Sequence, residues 1–199
     1  IDPDLAEDPS TRMQEFEALV TRTHEVGLKV VLDFVPNHVA RQYHSDTAPE
    51  GVDDLGAHDN KEMHFSPSNN FYYIPRQAFT PQFYIGEGED RYFEYPAKAT
   101  GNDCFGAFPG EYDWYETVKL NYGVDYTGGG RCHFDPIPDT WYKMLDILLF
   151  WCGKGADAFR CDMAHMVPVE FWNWAISKVK ENYPSVIFIA EIYDQALSR

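Results

Sequence analysis

Arg160 and Asp162 stand two positions apart at the end of the run Gly155-Ala156-Asp157-Ala158-Phe159-Arg160-Cys161-Asp162. In an extended strand they point to the same side, because side chains alternate faces. A guanidinium beside a carboxylate keeps the acid ionised at neutral pH and fixes its direction through a planar fork of donors. An oriented, ionised carboxylate is what nucleophilic attack requires. Two other apolar runs end in groups of the same kind. Lys29-Val30-Val31-Leu32-Asp33-Phe34-Val35-Pro36-Asn37-His38 carries Asp33, Asn37 and His38, and Val186-Ile187-Phe188-Ile189-Ala190-Glu191 delivers a lone carboxylate. Glu191 has apolar neighbours and no adjacent cation, so its pKa is expected to rise, as suits an acid/base group, while Asp162 stays ionised as the nucleophile. Placing Asp33, Arg160, Asp162 and Glu191 at buried strand ends is costly unless the charges are used.

Bringing three strand ends together requires parallel strands joined by helices, an α/β arrangement with the polar groups at the carboxyl ends. The patterning supplies these elements. Asp8-Pro9-Ser10-Thr11 opens a helix in which Thr11 and Gln14 fit a capping box and Met13, Phe16, Val20 and Thr23 share a face; Gly27 ends it. The run from Lys29 to Phe34 is nearly all apolar, as in a parallel strand buried on both faces. After Pro136-Ile137-Pro138-Asp139, with Asp139 or Thr140 as cap, Trp141, Leu145, Leu148, Leu149 and Cys152 form an apolar stripe, and Gly153 and Gly155 break the helix. A further helix is expected over about Val169 to Asn182, then Pro184 and the strand leading to Glu191, which makes a strand-helix-strand unit. Between them, about a hundred residues rich in Gly, Pro, Asn, Asp and aromatics lack a helical period and are read as an inserted subdomain. Phe71–Ile74, Gln82–Ile85 and Arg91–Tyr95 look like short strands in it. The expected organisation is 1–38 (helix and strand), 39–138 (insertion) and 139–199 (helix, strand, helix, strand).

These motifs resemble the conserved regions of the α-amylase superfamily, glycoside hydrolase family 13. Asp33-x-x-x-Asn37-His38 looks like the first region, Phe159-Arg160-x-Asp162 the second, and Ala190-Glu191 the third, in the family's order and each closing a strand. The resemblance implies a partial (β/α)8 TIM barrel, about strands 3 to 5, with a domain B inserted after strand 3. It implies a retaining glycosidase acting on α-glucosidic linkages of starch- or glycogen-like glucans. Asp162 would form a covalent glycosyl intermediate, and Glu191 would protonate the leaving oxygen and then activate water from about 5–5.5 Å away. By the same resemblance His38 and Arg160 contact the sugar, Asp33 braces Arg160, and His165 lies on the acceptor side. Asn37 matches a position that binds calcium in many members and makes structural hydrogen bonds in others; no cofactor is otherwise required. Ala158 stands where a Gly often precedes Phe-Arg, and Met166 where many amylases have a second His. Those departures leave room for an α-glucan transglycosylase, such as a glucanotransferase, maltosyltransferase or trehalose-forming enzyme, and for a non-catalytic carbohydrate-binding relative. The family's fourth region, a His-Asp pair carrying a third catalytic carboxylate, has no counterpart in this sequence, which is read as a segment of a longer protein.

Composition agrees with a carbohydrate partner. The 199 residues carry 32 acidic against 16 basic side chains, a net charge of −16, which disfavours nucleic acid or an anionic membrane as partner. Aromatic residues make up 16% of the chain, and their rings stack on the apolar faces of sugars as well as filling a core. No stretch is long and apolar enough for a membrane span; compartment, cytoplasmic or exported, and oligomeric state are left open. The cysteines Cys104, Cys132, Cys152 and Cys161 have no metal spacing. Asp53, Asp54, Asp59 and Asn60 read as a solvated acidic loop rather than a calcium site, and His58 and His64 lack the spacing of a zinc pair. Gly128-Gly129-Gly130 is a turn, not a phosphate loop. Lys98–Asn102 and Asp113–Gly123 pair aromatics with amides and acids and are candidates for the wall of a sugar cleft.

Overall fold

The computed structural model describes residues 2–83 and 92–193. In chain order its elements are α1 (Arg12–Glu25), β1 (Val31–Phe34), β2 (His38–Ala40), β3 (Tyr73–Ile74), β4 (Ala97–Lys98), β5 (Thr117–Lys119), β6 (Val124–Asp125), β7 (Arg131–Cys132), α2 (Asp139–Gly153), β8 (Ala158–Cys161), α3 (Val169–Asn182) and β9 (Ile187–Ala190). The fold is α/β. β8 lies between β1 and β9 in a parallel sheet, with Asp33 opposite Arg160 and Arg160 opposite Ile189. The ladder continues past the strand ends: the Asp162 N–H donates to the Phe34 carbonyl, and the Glu191 N–H to the Cys161 carbonyl. All three acid-bearing ends are therefore tied at one edge of the sheet.

Alternation decides which face is buried. Leu32, Phe34, Phe159, Cys161 and Phe188 pack with Trp141, Leu148, Phe171, Ala175 and Val179 of α2 and α3 into the main core. Phe171 is fully buried, its ring 5.7 Å from Trp141 and 4.8 Å from Tyr122. The opposite face carries Asp33, Arg160, Val31, Ile187 and Ile189, and its aliphatic members are exposed. The expectation of strands buried on both faces thus fails for β1 and β9, because helices cover only one side of this three-stranded sheet.

Local sequence fixes the joints. Asp8 caps the 3₁₀ turn Pro9–Thr11, so α1 begins at Arg12. The acid that meets the free N–H groups is Glu15 rather than Gln14: it accepts from the N–H groups of Glu7 and Asp8 and from the Thr11 hydroxyl. At the entry to β8, Asp157 accepts from the Val30 N–H (2.8 Å) and Lys29 Nζ (3.0 Å) and contacts His24 Nε2 (2.7 Å). Burial alone would raise this carboxyl, but the Val30 N–H, then His24 and Lys29, outweigh it and hold the pKa down at about 2.

Among the described residues of 38–132 the strands form three two-stranded antiparallel ribbons, β2 with β5, β3 with β4, and β6 with β7. Of the strands expected here, Phe71–Ile74 is shortened to Tyr73–Ile74. In the other two, Tyr84, Ile85 and Arg91 lie outside the described residues, and Gln82, Phe83 and Tyr92–Tyr95 are not strand. The reason is Glu94. Its carboxylate is turned inward to accept from Arg41 Nη1 at 2.7 Å, the Tyr92 hydroxyl at 2.8 Å and the Lys98 N–H at 2.7 Å. A chain wrapped around a buried ion pair cannot also run as a flat ladder. The glycine run closes the β6–β7 hairpin as a turn, with the Gly128 N–H on Asp125.

Candidate active site

Arg160 is the hub of the sheet edge. Its Nη1 donates to Asp33 at 2.9 and 3.2 Å and to Asp162 at 2.8 Å, and its Nη2 pairs with Glu191 Oε1. One guanidinium on β8 thereby joins a carboxylate from each of the three strand ends. The register produces this: Asp33 is beside Arg160 across β1–β8, Asp162 follows on the same face, and Glu191 leaves β9 one residue past the Cys161–Ala190 pair. Three acids hold the guanidinium firmly protonated, with Asp33 the largest contributor.

Glu191 departs from expectation. Its pKa is lowered, not raised: the Met163 N–H donates to Oε2 at 3.1 Å, the Tyr193 hydroxyl adds a hydrogen bond, and together with Asp162 and Arg160 these outweigh desolvation. The lone-carboxylate expectation gave Arg160 to Asp162 and Asp33 and none of it to Glu191, whereas its fork has two ends. Asp162 and Glu191 are held on the two ends of the same guanidinium, Asp162 on Nη1 and Glu191 on Nη2.

His38 follows β1 through Pro36, whose carbonyl accepts from the Tyr122 hydroxyl at 2.7 Å. Its ring packs edge-on to Trp114, with centroids 5.4 Å apart. Burial pushes its pKa down; the Asp162 charge opposes this and Lys119 adds to it. His38 and Asp162 therefore feel one another across the site. Asn37 is buried. Its Oδ1 accepts from Lys119 Nζ at 2.9 Å, and its Nδ2 donates to the Gly101 carbonyl at 2.8 Å. The oxygen that would ligate calcium is held by an ammonium, so the residues around Asn37 do not suit that ion. Among the described residues no group of three or more His, Cys, Asp or Glu side chains is placed to hold a metal. Asp53 pairs with His58, and Asp59 accepts from the N–H groups of Asn70 and Phe71 and from the Tyr73 hydroxyl, so the acidic loop is spent on its own folding.

His165 sits in the 3₁₀ turn Ala164–Met166 that follows Asp162. It lines a cavity of about 1080 Å³ with Asn102, Asp103, Trp114, Tyr126 and Met163; the wall takes in Cys161 and Ala190, the chain neighbours of Asp162 and Glu191, but neither carboxylate itself. Its Nδ1 is buried without a hydrogen-bond partner among the described residues. Asn102 and Trp114, from the segments expected to wall a cleft, do face this cavity. Lys98 does not, since it pairs with Glu94 at 3.3 Å. Sequence reasoning missed Asp103, and took Lys119 only as part of the Asp113–Gly123 segment, without its partners. The signal was present in Thr117-Val118-Lys119-Leu120, a lysine inside an apolar strand, where burial demands a partner.

The comparisons bear on this geometry. No family model matches the chain. An alpha-1,4-glucan:maltose-1-phosphate maltosyltransferase of Corynebacterium pseudotuberculosis (strain 1002) is 47% identical over 186 residues, 91% of this chain and 19% of that protein. A protein of the same name from Cereibacter sphaeroides is 44% identical over 91 residues, 43% of this chain and 15% of the relative. The chain thus spans about a fifth or less of the curated relatives it matches. Among solved structures, the maltogenic amylase from S. marinus aligns with a TM-score of 0.52 at 19% identity, covering 92% of this chain and 24% of that one. An alpha-amylase from Lactobacillus plantarum aligns with a TM-score of 0.50 at 23% identity, covering 93% and 30%. Those structural likenesses speak for the fold, and the sequence identity for kinship: the chain belongs to the α-amylase superfamily of glycoside hydrolases and corresponds to part of its catalytic region.

Proposed function

We propose that this chain supplies the nucleophile and the acid/base carboxylate of a retaining enzyme acting on α-glucosidic linkages of starch- or glycogen-like glucans or maltooligosaccharides. The observation that carries the reading is the single Arg160 guanidinium joining Asp33, Asp162 and Glu191 at the carboxyl ends of three parallel strands. In the proposed mechanism Asp162 attacks the anomeric carbon and forms a glycosyl ester. Glu191 gives its proton to the departing oxygen, then takes one from the incoming water or sugar hydroxyl. Asp162 and Glu191 share the two ends of one guanidinium, an arrangement of neighbouring acids that supports the retaining reading. The Met163 N–H, the Tyr193 hydroxyl and Arg160 favour the ionised form of Glu191, so substrate binding has to deliver its proton. A substrate that excludes water and draws Arg160 toward Asp162 raises the Glu191 pKa in the required direction. His38 and Arg160 contact the sugar in the bond-forming subsite, Asp33 braces Arg160, Asn37 supports His38, and His165 faces the acceptor cavity. We assign residues 39–138 to a domain B-type insertion between barrel segments 1–38 and 139–199, with strands β1, β8 and β9 as barrel strands 3 to 5.

The same chemistry ends in hydrolysis or in transfer according to what enters beside Glu191. The transferase alternative is favoured by the maltosyltransferase names of the relatives, and the experiment decides. The intact protein is given maltoheptaose with and without an added acceptor sugar, beside Asp162→Asn. Shorter α-configured maltooligosaccharides that vanish in the variant establish a retaining hydrolase. Longer or acceptor-linked products establish a transglycosylase. Turnover unchanged by Asp162→Asn overturns the assignment, and sugar binding without any turnover moves the protein to the non-catalytic reading.

A further inference from the structure

Lys119 is among the largest fully buried side chains, yet nothing in the proposed reaction uses it. It lies in β5 directly across the ribbon from His38 in β2. Its Nζ reaches Asp103 Oδ1 at 2.5 Å and Asn37 Oδ1 at 2.9 Å. An ammonium only donates, so of the two ends of the Asn37 amide only the oxygen can face it. The amide nitrogen is then turned the other way. It donates to the Gly101 carbonyl at 2.8 Å and lies 3.3 Å from His38 Nδ1. An amide nitrogen has no lone pair to offer, so His38 Nδ1 has to be the acceptor and the neutral ring carries its proton on Nε2.

We propose that Lys119 is a positioning residue that fixes the Asn37 amide and, through it, holds His38 in the Nε2–H tautomer. His38 thus presents a donor to the site beside Asp162. A sugar hydroxyl that accepts from Nε2–H keeps its own proton free for a neighbouring carboxylate. The surroundings hold the arrangement rigid. The Trp114 edge fixes the ring plane. The Gly101 N–H is bound to Thr117 Oγ1 at 2.9 Å, and a Cβ at Gly101 would come within 2.9 Å of His38 Cβ. Glycine is therefore what lets that carbonyl approach Asn37 closely enough to orient its nitrogen. The functional consequence rests on the sugar-contact reading of His38; the tautomer does not.

The test is the ring ¹⁵N spectrum of His38 in the intact protein labelled at histidine, at about pH 8, where an imidazole is neutral. The His38 signals are assigned by their loss in His38→Gln. The expected spectrum has an unprotonated Nδ1 and a protonated Nε2. Asn37→Asp keeps an oxygen for Lys119 but replaces the donor facing Nδ1 by an acceptor, so the proton is expected to move to Nδ1. With it, kcat/KM for maltoheptaose should fall about 10- to 100-fold, as for a lost hydrogen bond to substrate. Lys119→Met frees the amide and should give a mixture of tautomers. A wild-type ring protonated on Nδ1, or an Nε2–H tautomer that survives both substitutions, overturns the proposal. Should one variant fail to fold, the other carries the test, and a tautomer unchanged in it overturns the proposal. An Nε2–H ring in a protein that turns over no α-glucan would refute the proposed function and leave this inference standing.

Discussion

Arg160 sets the charge state of the site, because one side chain with two donor ends serves three carboxylates. Removing it leaves Asp33, Asp162 and Glu191 facing one another without their cation. Like charges at close range disfavour ionisation, and Glu191, whose pKa Arg160 helps to lower, must become easier to protonate. Arg160→Met is therefore expected to move the acidic limb of the pH–rate profile to higher pH and to lower kcat by about 10²–10³-fold, the range for losing one charge-stabilising donor. An acidic limb that does not move would show that the guanidinium does not govern these acids. What the sequence made visible here is what lies along one strand: Arg160 and Asp162 are two apart, and alternation alone puts them together. Across strands, only the pairing of Asp33 with Arg160 was expected, and that from the family resemblance; the other pairings stayed hidden. That Arg160 reaches Glu191, and that Lys119 rather than a metal holds Asn37, depends on register and on a ribbon 82 residues further along the chain, neither of which a local pattern encodes.

Helices and strands of the sheet layer were legible for the same reason that they are stable. In α3 the buried positions Phe171, Ala175 and Val179 repeat every four residues, so the periodicity that marks the helix also builds its core face. In the β-ribbons the periodicity is absent because side chains do the work of the ladder, as Glu94 does for Arg41. The joints between elements depend on single residues. Gly155, between α2 and β8, has φ +95°, and a Cβ there would stand 2.8 Å from Val20 Cγ1 of α1. Both the backbone conformation and the contact exclude a side chain. Gly155→Ala should cost about 1–3 kcal/mol, the usual range for a non-glycine residue held in a strained backbone region. Reversible chemical denaturation of the intact protein measures it, and a loss below a few tenths of a kcal/mol would mean that α1 and the turn yield without strain.

At the scale of the molecule, the parallel sheet is dressed on one side only. α2 and α3 cover the face bearing Phe34, Phe159 and Cys161, whereas Val31, Ile187 and Ile189 form an exposed aliphatic row around the charged cluster, and β1 and β9 are edge strands among the described residues. The alternation that allowed Arg160 and Asp162 to be read as neighbours also generates this row, since residues flanking Asp33 and Arg160 at two-residue spacing share their face. Sequence reasoning took the apolar runs as buried on both sides. Among the described residues the second side leaves Val31, Ile187 and Ile189 exposed, and neither an edge strand nor an aliphatic face is stable against association in water. The 199-residue chain, produced alone, is therefore expected to self-associate at micromolar concentration. Ile187→Thr with Ile189→Thr should lessen the association without lowering the melting temperature by more than a few degrees, because the substituted side chains lie outside the helix-covered core. Light scattering coupled to size exclusion reads the first effect and thermal unfolding the second. A monodisperse monomer with a cooperative melt would show that the loops and ribbons shield this face well enough, and that the aliphatic row poses no hazard to the chain.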